Sequence, residues 1–374
     1  MSQTNTHKPR VMILFGGRSS EHSVSCVTAA GVLEAIDREK YEVVPVGITR
    51  DGAWTLVDQD ITSWSLANSQ KPEVTAGNEV LRLTGDPGSH ELLASDPAHV
   101  VRSLGDIDLV FPLLHGPFGE DGSLQGMLEM VDVPYVGSGI AASAIGMDKH
   151  FMKVVFEAAG FEVGPYVVIQ DKAWERDQEA CLKSVEALQY PLFVKPARAG
   201  SSVGISRVDT PDTLAAAIEA ARVHDPKVIV EAGIVGREIE CGVLEGRGSL
   251  PPRASMPGEI VVDNADHTFY DFDAKYVDGA AAQLSCPATL EASASEKVRE
   301  LAAAAFDAVN AEGLSRVDFF YTPEGKWIIN EINTMPGFTP SSMYPHMWSK
   351  TGLDYASLID ELIHLGLNRK TGLR

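Results

Sequence analysis

The sequence predicts a mixed α/β and α+β fold of two or three packed domains, with an open α/β layer at its N-terminal end. Three observations carry this expectation. The chain has 374 residues, more than a single core ordinarily organises. Residues 11–48 read as strand, helix, strand, which is a βαβ unit. Residues 316–333 read as two alternating strands around a short turn at 322–325, which is a hairpin.

Taken in order, residues 11–15 are wholly apolar and closed by Gly16 and Gly17, as in a buried parallel strand before a tight turn. Residues 22–36 read as a helix and 41–48 as the second strand. Gly, Asp and polar residues dominate 49–103 around Trp54 and Trp64, so this stretch is expected to be loops or an elaboration of the first domain. Residues 106–114 read as a strand, 115–122 as a Gly-rich loop and 123–130 as a helix. After Val136-Gly137-Ser138-Gly139 a new unit opens. It holds a helix over 141–159, strands over 166–169 and 192–195 around a charged helix near 173–188, and strands over 228–231 and 238–244. Thr210-Pro211 signals a helix start, and Ser293 with Glu296 reads as a capping box opening a helix to Asn310. Residues 263–287 form a long irregular segment, either a functional loop that could close over a site or a disordered one.

The formal net charge is −21. That argues against nucleic acid, which needs surplus Lys and Arg, and disfavours docking on anionic lipid. Any phosphate ligand would require the few cations to be gathered locally. Cys26, Cys181, Cys241 and Cys286 are scattered, without the spacing of a disulfide framework or zinc site. Residues 1–10 are expected to be a disordered tail without a signal core, and no stretch approaches the roughly 18 apolar residues of a membrane helix, so a cytoplasmic location is expected.

The hairpin carries the first chemical constellation. Side chains alternate across a strand, so Arg316 and Asp318 share one face and Glu331 and Asn333 share a face of the partner. Two carboxylates and an amide oxygen suit magnesium, and Arg316 can neutralise an oxyanion, although a solvated hairpin face is the plainer reading. In Lys195-Pro196-Ala197-Arg198-Ala199-Gly200-Ser201-Ser202-Val203-Gly204, a strand ends in Lys before a loop of small residues. Backbone N–H groups there could cradle phosphate beside the Lys195 charge, or the loop could be a plain hairpin turn. Lys149 alone on its helix reads as a solvated residue, whereas Glu231 and Glu238 after an apolar strand could accept hydrogen bonds from an adenine amino group or a ribose or be ordinary loop carboxylates. Glu21 could hold a substrate ammonium, since the loop after the first strand of an open α/β sheet is where ligands bind, or could simply suit a helix N-terminus. His115 is a site group or a satisfied loop histidine. No G-x-x-x-x-G-K-S/T run, no G-x-G-x-x-G after the first strand and no G-x-S-x-G elbow occur, which removes the fingerprints of P-loop proteins, dehydrogenases and hydrolases.

Six segments fall in order along the chain. They are Gly16-Gly17-Arg18-Ser19-Ser20-Glu21, His115-Gly116-Pro117-Phe118-Gly119-Glu120-Asp121-Gly122, Lys195-Pro196 with the loop to Gly204, Lys275-Tyr276, Arg316-Val317-Asp318, and Glu331-Ile332-Asn333-Thr334-Met335-Pro336-Gly337. In order and rough spacing they resemble the D-alanine–D-alanine ligases of the ATP-grasp superfamily, over most of the chain except 49–103. The resemblance implies a Rossmann-like substrate-binding domain over 1–138. It implies two ATP-grasp subdomains, over 139–234 and 235–374, sandwiching ATP beneath a lid at 263–287. It implies that Lys149, Lys195 and Ser202 meet the ATP phosphates, and that Glu231, Ile234, Glu238, Phe269 and Lys275 form the nucleotide pocket. It implies that Asp318, Glu331 and Asn333 bind two Mg2+ ions, with Mn2+ able to substitute and K+ left open. Glu21 would anchor the first D-alanine ammonium, in a network with Ser201 and Tyr276, and His115 would sit near its carboxylate. Arg316 and the Gly337 backbone would stabilise the oxyanion, and Ser342 would bind the second carboxylate. The implied activity is ATP-dependent ligation of two D-alanine molecules through an acyl phosphate, for peptidoglycan precursors, by a homodimer with no nucleic-acid or membrane partner. The rivals are D-alanine–D-lactate or D-alanine–D-serine ligation, against which Tyr276 speaks in the lactate case, and an inactive nucleotide-binding regulator.

Overall fold

The computed structural model describes residues 8–67, 71–86, 88–98, 100–262 and 282–372. Strand β1 (Arg10–Gly16), helix α1 (His22–Ala35) and strand β2 (Glu42–Ile48) form the βαβ unit, and β3 (Trp54–Leu56) pairs antiparallel with β2. β4 (Val80–Leu83), β5 (Glu91–Ser95) and β6 (Val101–Asp106) form a small antiparallel sheet, and β7 (Leu109–Pro112) returns parallel to β1. The first sheet therefore runs β3-β2-β1-β7. β1 is apolar from Val11 to Phe15 because an inner parallel strand is covered on both faces. Two expectations change here. Arg10 belongs to β1 rather than to a disordered tail, with its N–H donating to Asp108 at 2.6 Å. The strand expected over 106–114 is split, since Asp106 ends β6 and β7 begins at Leu109. The elaboration over 49–103 contains β3, β4, β5 and the start of β6 among longer loops, strands too short individually to announce a period.

Helix α2 (Ser123–Met130) lies where expected. The single helix expected over 141–159 is broken into α3 (Ile140–Met147) and α4 (Lys149–Ala158). Asp148 breaks it, accepting hydrogen bonds from the His150 and Phe151 N–H groups at 3.1 and 3.3 Å, so that it caps α4. β8 (Tyr166–Gln170) follows, and the charged helix is likewise two pieces, α5 (Asp171–Arg176) and α6 (Gln178–Val185), the second capped by Asp177. β9 (Leu192–Pro196) and β10 (Ser206–Val208) form a hairpin. A 3-10 turn at Pro211–Thr213 leads into α7 (Leu214–Arg222), and β11 (Lys227–Ala232) completes an antiparallel sheet in the order β10-β9-β11-β8.

The third large sheet contains β12 (Arg237–Leu244), β13 (Arg253–Ala254), β14 (Gly258–Val262), β15 (Ala282–Ser285), β16 (Leu314–Tyr321) and β17 (Trp327–Asn333). Its order is β15-β14-β12-β16-β17, with β13 paired on β12. β15 trims the irregular segment expected over 263–287, because residues 282–285 pair with β14. Helix α8 (Ala292–Ala308) starts one residue before Ser293, with Glu291 at its N-cap and no side-chain cap, so Ser293 and Glu296 form no capping box. α9 (Met343–Thr351) and α10 (Tyr355–Leu367) close the chain. Leu358, Ile359 and Leu362 of α10 share a core with Val11, Ile13 and Phe15, so the last helix packs back onto the first sheet. Among the described residues, no helix is long and apolar enough to cross a membrane.

Asp148 does more than cap α4. Both of its oxygens accept from buried Lys227 Nζ at 2.8 Å. Removing one partner of a buried pair leaves an uncompensated charge, so Asp148→Ala is expected to lower stability by about 3–5 kcal/mol. Asp148→Asn keeps the cap and should lose less. Urea unfolding of both variants tests this, and equal stability of the Ala variant and wild type would refute it.

Candidate active site

The turn after β1, the loop after β7, the β9–β10 loop, β11–β12 and the β16–β17 hairpin converge on one cavity of about 930 Å³. Every candidate side chain or backbone among the described residues lines it. Phe269, Lys275 and Tyr276 fall outside the described residues, so the lid and its network with Glu21 carry no structural statement.

Strand register builds the polar floor. Arg316 stands opposite Asn333, and Asp318 opposite Glu331, with a bulge following Asp318. On the other side of β16, Glu240 of β12 stands opposite Asp318, which makes a transverse row of three carboxylates. Arg316 grips Asp318 through Nε and Nη2 at 2.7 and 2.6 Å, its Nε lies 3.3 Å from Glu240, and Asn333 Nδ2 donates to Asp318 at 3.1 Å. Burial disfavours the guanidinium charge, but Asp318 and Glu240 outweigh it and raise the pKa of Arg316 further. Sequence reasoning missed Glu240. Its only signal was the alternation Glu238-Ile239-Glu240, which cannot tell which strand lies beside it.

Glu21 is the N-cap residue of α1 and is buried, at 5% exposure. Its carboxylate accepts a short hydrogen bond from the Ser201 hydroxyl, so the loop after β1 meets the loop after β9. Two glycines permit this approach. A Cβ on Gly116 would lie 2.7 Å from the Glu21 carboxylate, and one on Gly200 would lie 2.9 Å from it. Ser201, Ser202 and Gly204 have φ of 49°, 59° and 72°. Successive left-handed residues can turn backbone N–H groups toward a common concavity of the kind that binds anions, and non-glycine residues hold that conformation only at some strain.

His115 is held by its neighbours rather than exposed to the loop surface. Nδ1 lies 3.2 Å from the Met335 carbonyl oxygen and Nε2 lies 3.2 Å from the Thr28 hydroxyl. Burial keeps its pKa below the ordinary value, against the opposing influence of Glu21 and the Met335 carbonyl. Glu120, in the same loop, was quoted in the motif but given no role. It accepts from the Gly116 N–H at 2.5 Å, and burial, then the charge of Glu21, push its pKa up to about 8. It lines the cavity with Glu21 and His115, a feature visible only once the loop has folded back on itself.

Around the Gly/Ser loop, Lys149 Nζ donates to the Ala199 carbonyl at 2.7 Å, which fastens α4 to that loop. Lys195 pairs with Glu231, and Glu231 also pairs with Lys153, which carries no local signal of such a role. Ile234 and Glu238 border the same end of the cavity. Ser342, the N-cap residue of α9, also lines the cavity, and its hydroxyl accepts from the Thr339 N–H at 3.1 Å. A Cβ on Gly337 would lie 3.3 Å from that hydroxyl. Ser65, Leu66 and Ala67 of the elaboration also reach the cavity wall, so part of 49–103 belongs to the site.

Glu120 gives a pH signature. Its raised pKa means that the folded chain keeps a proton the unfolded chain releases, so stability falls as pH rises from about 4.5 to about 8. Among charged neighbours, Glu21 raises the pKa of Glu120 further and Arg316 lowers it. Glu120→Gln holds the neutral form and should flatten that decline in thermal melts between pH 5 and 8. An unchanged slope would show that Glu120 is not the group responsible.

Two family models match the chain, "D-ala D-ala ligase N-terminus" over residues 10–138 and "D-ala D-ala ligase C-terminus" over 155–364. A D-alanine–D-alanine ligase of Arthrobacter sp. (strain FB24) is 65% identical over 98% of this chain and 96% of its own length. One from Paenarthrobacter aurescens (strain TC1) is 63% identical over 99% and 98%. Among solved structures, the VanG D-Ala:D-Ser ligase from Enterococcus faecalis superposes with a TM-score of 0.81 at 35% identity, covering 96% of this chain and 99% of that one. The D-alanine–D-alanine ligase from Coxiella burnetii gives 0.80 at 32%, covering 97% and 94%. The architecture is accordingly the ATP-grasp one, and on models and relatives that together span nearly its whole length the chain belongs to the D-alanine–D-alanine ligase family.

Proposed function

We propose that this protein joins two D-alanine molecules into D-alanyl-D-alanine at the expense of ATP, supplying peptidoglycan precursors. The observation that carries the reading is the Glu21–Ser201 contact, which sets an ammonium-binding carboxylate against a phosphate-cradling loop within one cavity. An amino acid anchored at Glu21 would have its own carboxylate close to the nucleotide's terminal phosphate.

The chemistry explains the remaining residues. A carboxylate oxygen is a poor leaving group, so ATP phosphorylates it, and the amine of the second D-alanine then displaces phosphate from the acyl phosphate. The protein's work is positioning and charge neutralisation. Lys149, Lys195 and the loop N–H groups at Ser201 and Ser202 receive the phosphates, and Glu231, Ile234 and Glu238 border the adenine and ribose. Arg316 and the Gly337 N–H face the developing oxyanion. His115 lies toward the first carboxylate, and the N-terminus of α9 at Ser342 suits the second.

Asp318, Glu331 and Asn333 offer three hard oxygen donors on one sheet face beside the phosphate end of the cavity, which fits Mg2+ or Mn2+. Among the described residues no three His, Cys, Asp or Glu side chains converge as a metal cluster. Such ions would offset phosphate charge when bound. The reading extends to a substrate-binding unit over 1–138 and two nucleotide-clasping units over 139–234 and 235–374. It extends also to a cytoplasmic homodimer, with K+ dependence an open variable. A second reading, D-serine as acceptor, is favoured by the 35% identity to a ligase of that name.

Incubation with ATP, Mg2+ and D-alanine, with D-serine or D-lactate offered in competition, should yield mainly D-alanyl-D-alanine by mass. ADP release with no dipeptide would sink the proposal. Arg316→Ala should lower turnover about 100-fold or more, as for loss of an oxyanion donor. Glu331→Gln should shift the Mg2+ titration of activity to higher concentration, and a superimposable titration curve would remove Glu331 from the metal site.

A further inference from the structure

We propose that Lys153 is a positioning residue for nucleotide binding, acting through Glu231 on Lys195. Lys153 lies on α4 four residues beyond Lys149, so both project from the same helix face. Yet its side chain is only 3% exposed, an uncommon state for lysine and costly unless the charge is paired. Its partner is Glu231, with Nζ 2.9 Å from Oε1, while Lys195 Nζ takes the other oxygen, Oε2. Burial opposes ionisation of Glu231, but Lys153 and Lys195 together hold it well below the usual carboxylate range. The arrangement is a bracket with one carboxylate between two ammonium groups, all three lining the cavity.

The geometry favours a positioning role over a simple surface tie. Lys195 and Glu231 come from adjacent strands, β9 and β11, in which Lys195 stands opposite Ile229 and Glu231 opposite Phe193. Two long side chains on neighbouring strands could pair in several rotamers. Lys153, approaching from α4, takes the second oxygen and so fixes the rotation of the carboxylate, which in turn fixes where the Lys195 ammonium sits. The three formal charges sum to one positive charge that the carboxylate does not cancel, and it faces the part of the cavity assigned to phosphate. Lys153 Nζ also lies 5.8 Å from the centroid of the Tyr166 ring, which leaves it little freedom to turn elsewhere.

This inference rests on the nucleotide reading of the cavity, and the test separates the two. ADP affinity is measured by calorimetry on the full chain for wild type, Lys153→Met, Lys153→Arg, Glu231→Gln and the Lys153→Met/Glu231→Gln double variant, alongside KM for ATP and for D-alanine. Lys153→Met should weaken ADP and raise the ATP KM roughly 10-fold or more, the range typical when a supporting contact is removed. The D-alanine KM should stay within about twofold, and Lys153→Arg should restore most of the affinity. Because Lys153 acts through Glu231, its loss should matter little once Glu231→Gln is present. If Lys153→Met does not fold, Lys153→Gln, which can still hydrogen-bond Glu231, takes its place in the cycle with the same expected direction. Wild-type nucleotide affinity in the folded Lys153 variant, or a loss undiminished in the Glu231→Gln background, overturns the proposal while the ligase reading stands. Failure of the wild-type protein to bind ADP overturns both.

Discussion

A buried carboxylate meeting a loop hydroxyl organises this molecule. Ser201 lies 180 residues from Glu21 in sequence, and their hydrogen bond joins the first sheet to the β9–β10 loop. Much of the surrounding chemistry answers to the demands of that contact. Glu21 must leave water, so it sits at a helix N-terminus where backbone N–H groups favour negative charge. The backbone must come close to it from two sides, which requires Gly116 and Gly200, where any Cβ would intrude on the carboxylate. Ser201 presents its hydroxyl from a left-handed conformation, and in the proposed function the same conformation shapes the loop for phosphate. One constraint would thereby align the proposed amino-acid half of the cavity with the proposed nucleotide half.

The strongly acidic composition makes the placement of cations informative. Repulsion among a formal −21 would be eased by cations anywhere on the surface. Instead Lys153, Lys195 and Arg316 are gathered around one cavity, each against a carboxylate that is itself buried. Desolvating such pairs is a poor route to stability, because the Coulomb gain rarely exceeds the loss of hydration. Their concentration here makes sense as preorganisation: charges held in place before a polyanion arrives need not reorganise when it does.

What was legible in the sequence follows from the range of the interactions. The βαβ unit, α2 and the β16–β17 hairpin were readable because hydrophobic period and turn residues are local signals. The hairpin even revealed which of Arg316, Asp318, Glu331 and Asn333 share a face. The roles attached to most site residues, by contrast, came from the resemblance to a family, since Lys149 or Glu238 alone is an ordinary solvated residue. Breaks inside apparently continuous helices were not legible, because Asp148 and Asp177 look like surface residues until their caps form. Glu120, Glu240 and Lys153 escaped for a different reason. Each acquires its environment from another segment, and neither the register of β12 against β16 nor the approach of α4 to β11 is written in any local pattern.

The path of the chain after the hairpin explains how a site assembled from so many segments keeps its geometry. β17 delivers Glu331 and Asn333 and then runs through Met335, Gly337 and Phe338 into α9 and α10. Met335 and Phe338 are buried in the same core as β1, together with Tyr344 and Trp348 of α9 and Leu358 and Ile359 of α10. His115 reaches Met335 from the opposite side through Nδ1. The segment carrying the oxyanion and acceptor-carboxylate candidates is therefore anchored to the sheet that carries Glu21, although more than 300 residues of chain separate Glu21 from Gly337. A ligation requires the amine of one substrate to meet the activated carboxylate of another within a narrow range of distance and angle. On the proposed assignment, anchoring both substrate halves to one apolar core would fix that relation through dense packing and leave the Gly/Ser loop and its lysines to register the nucleotide against it.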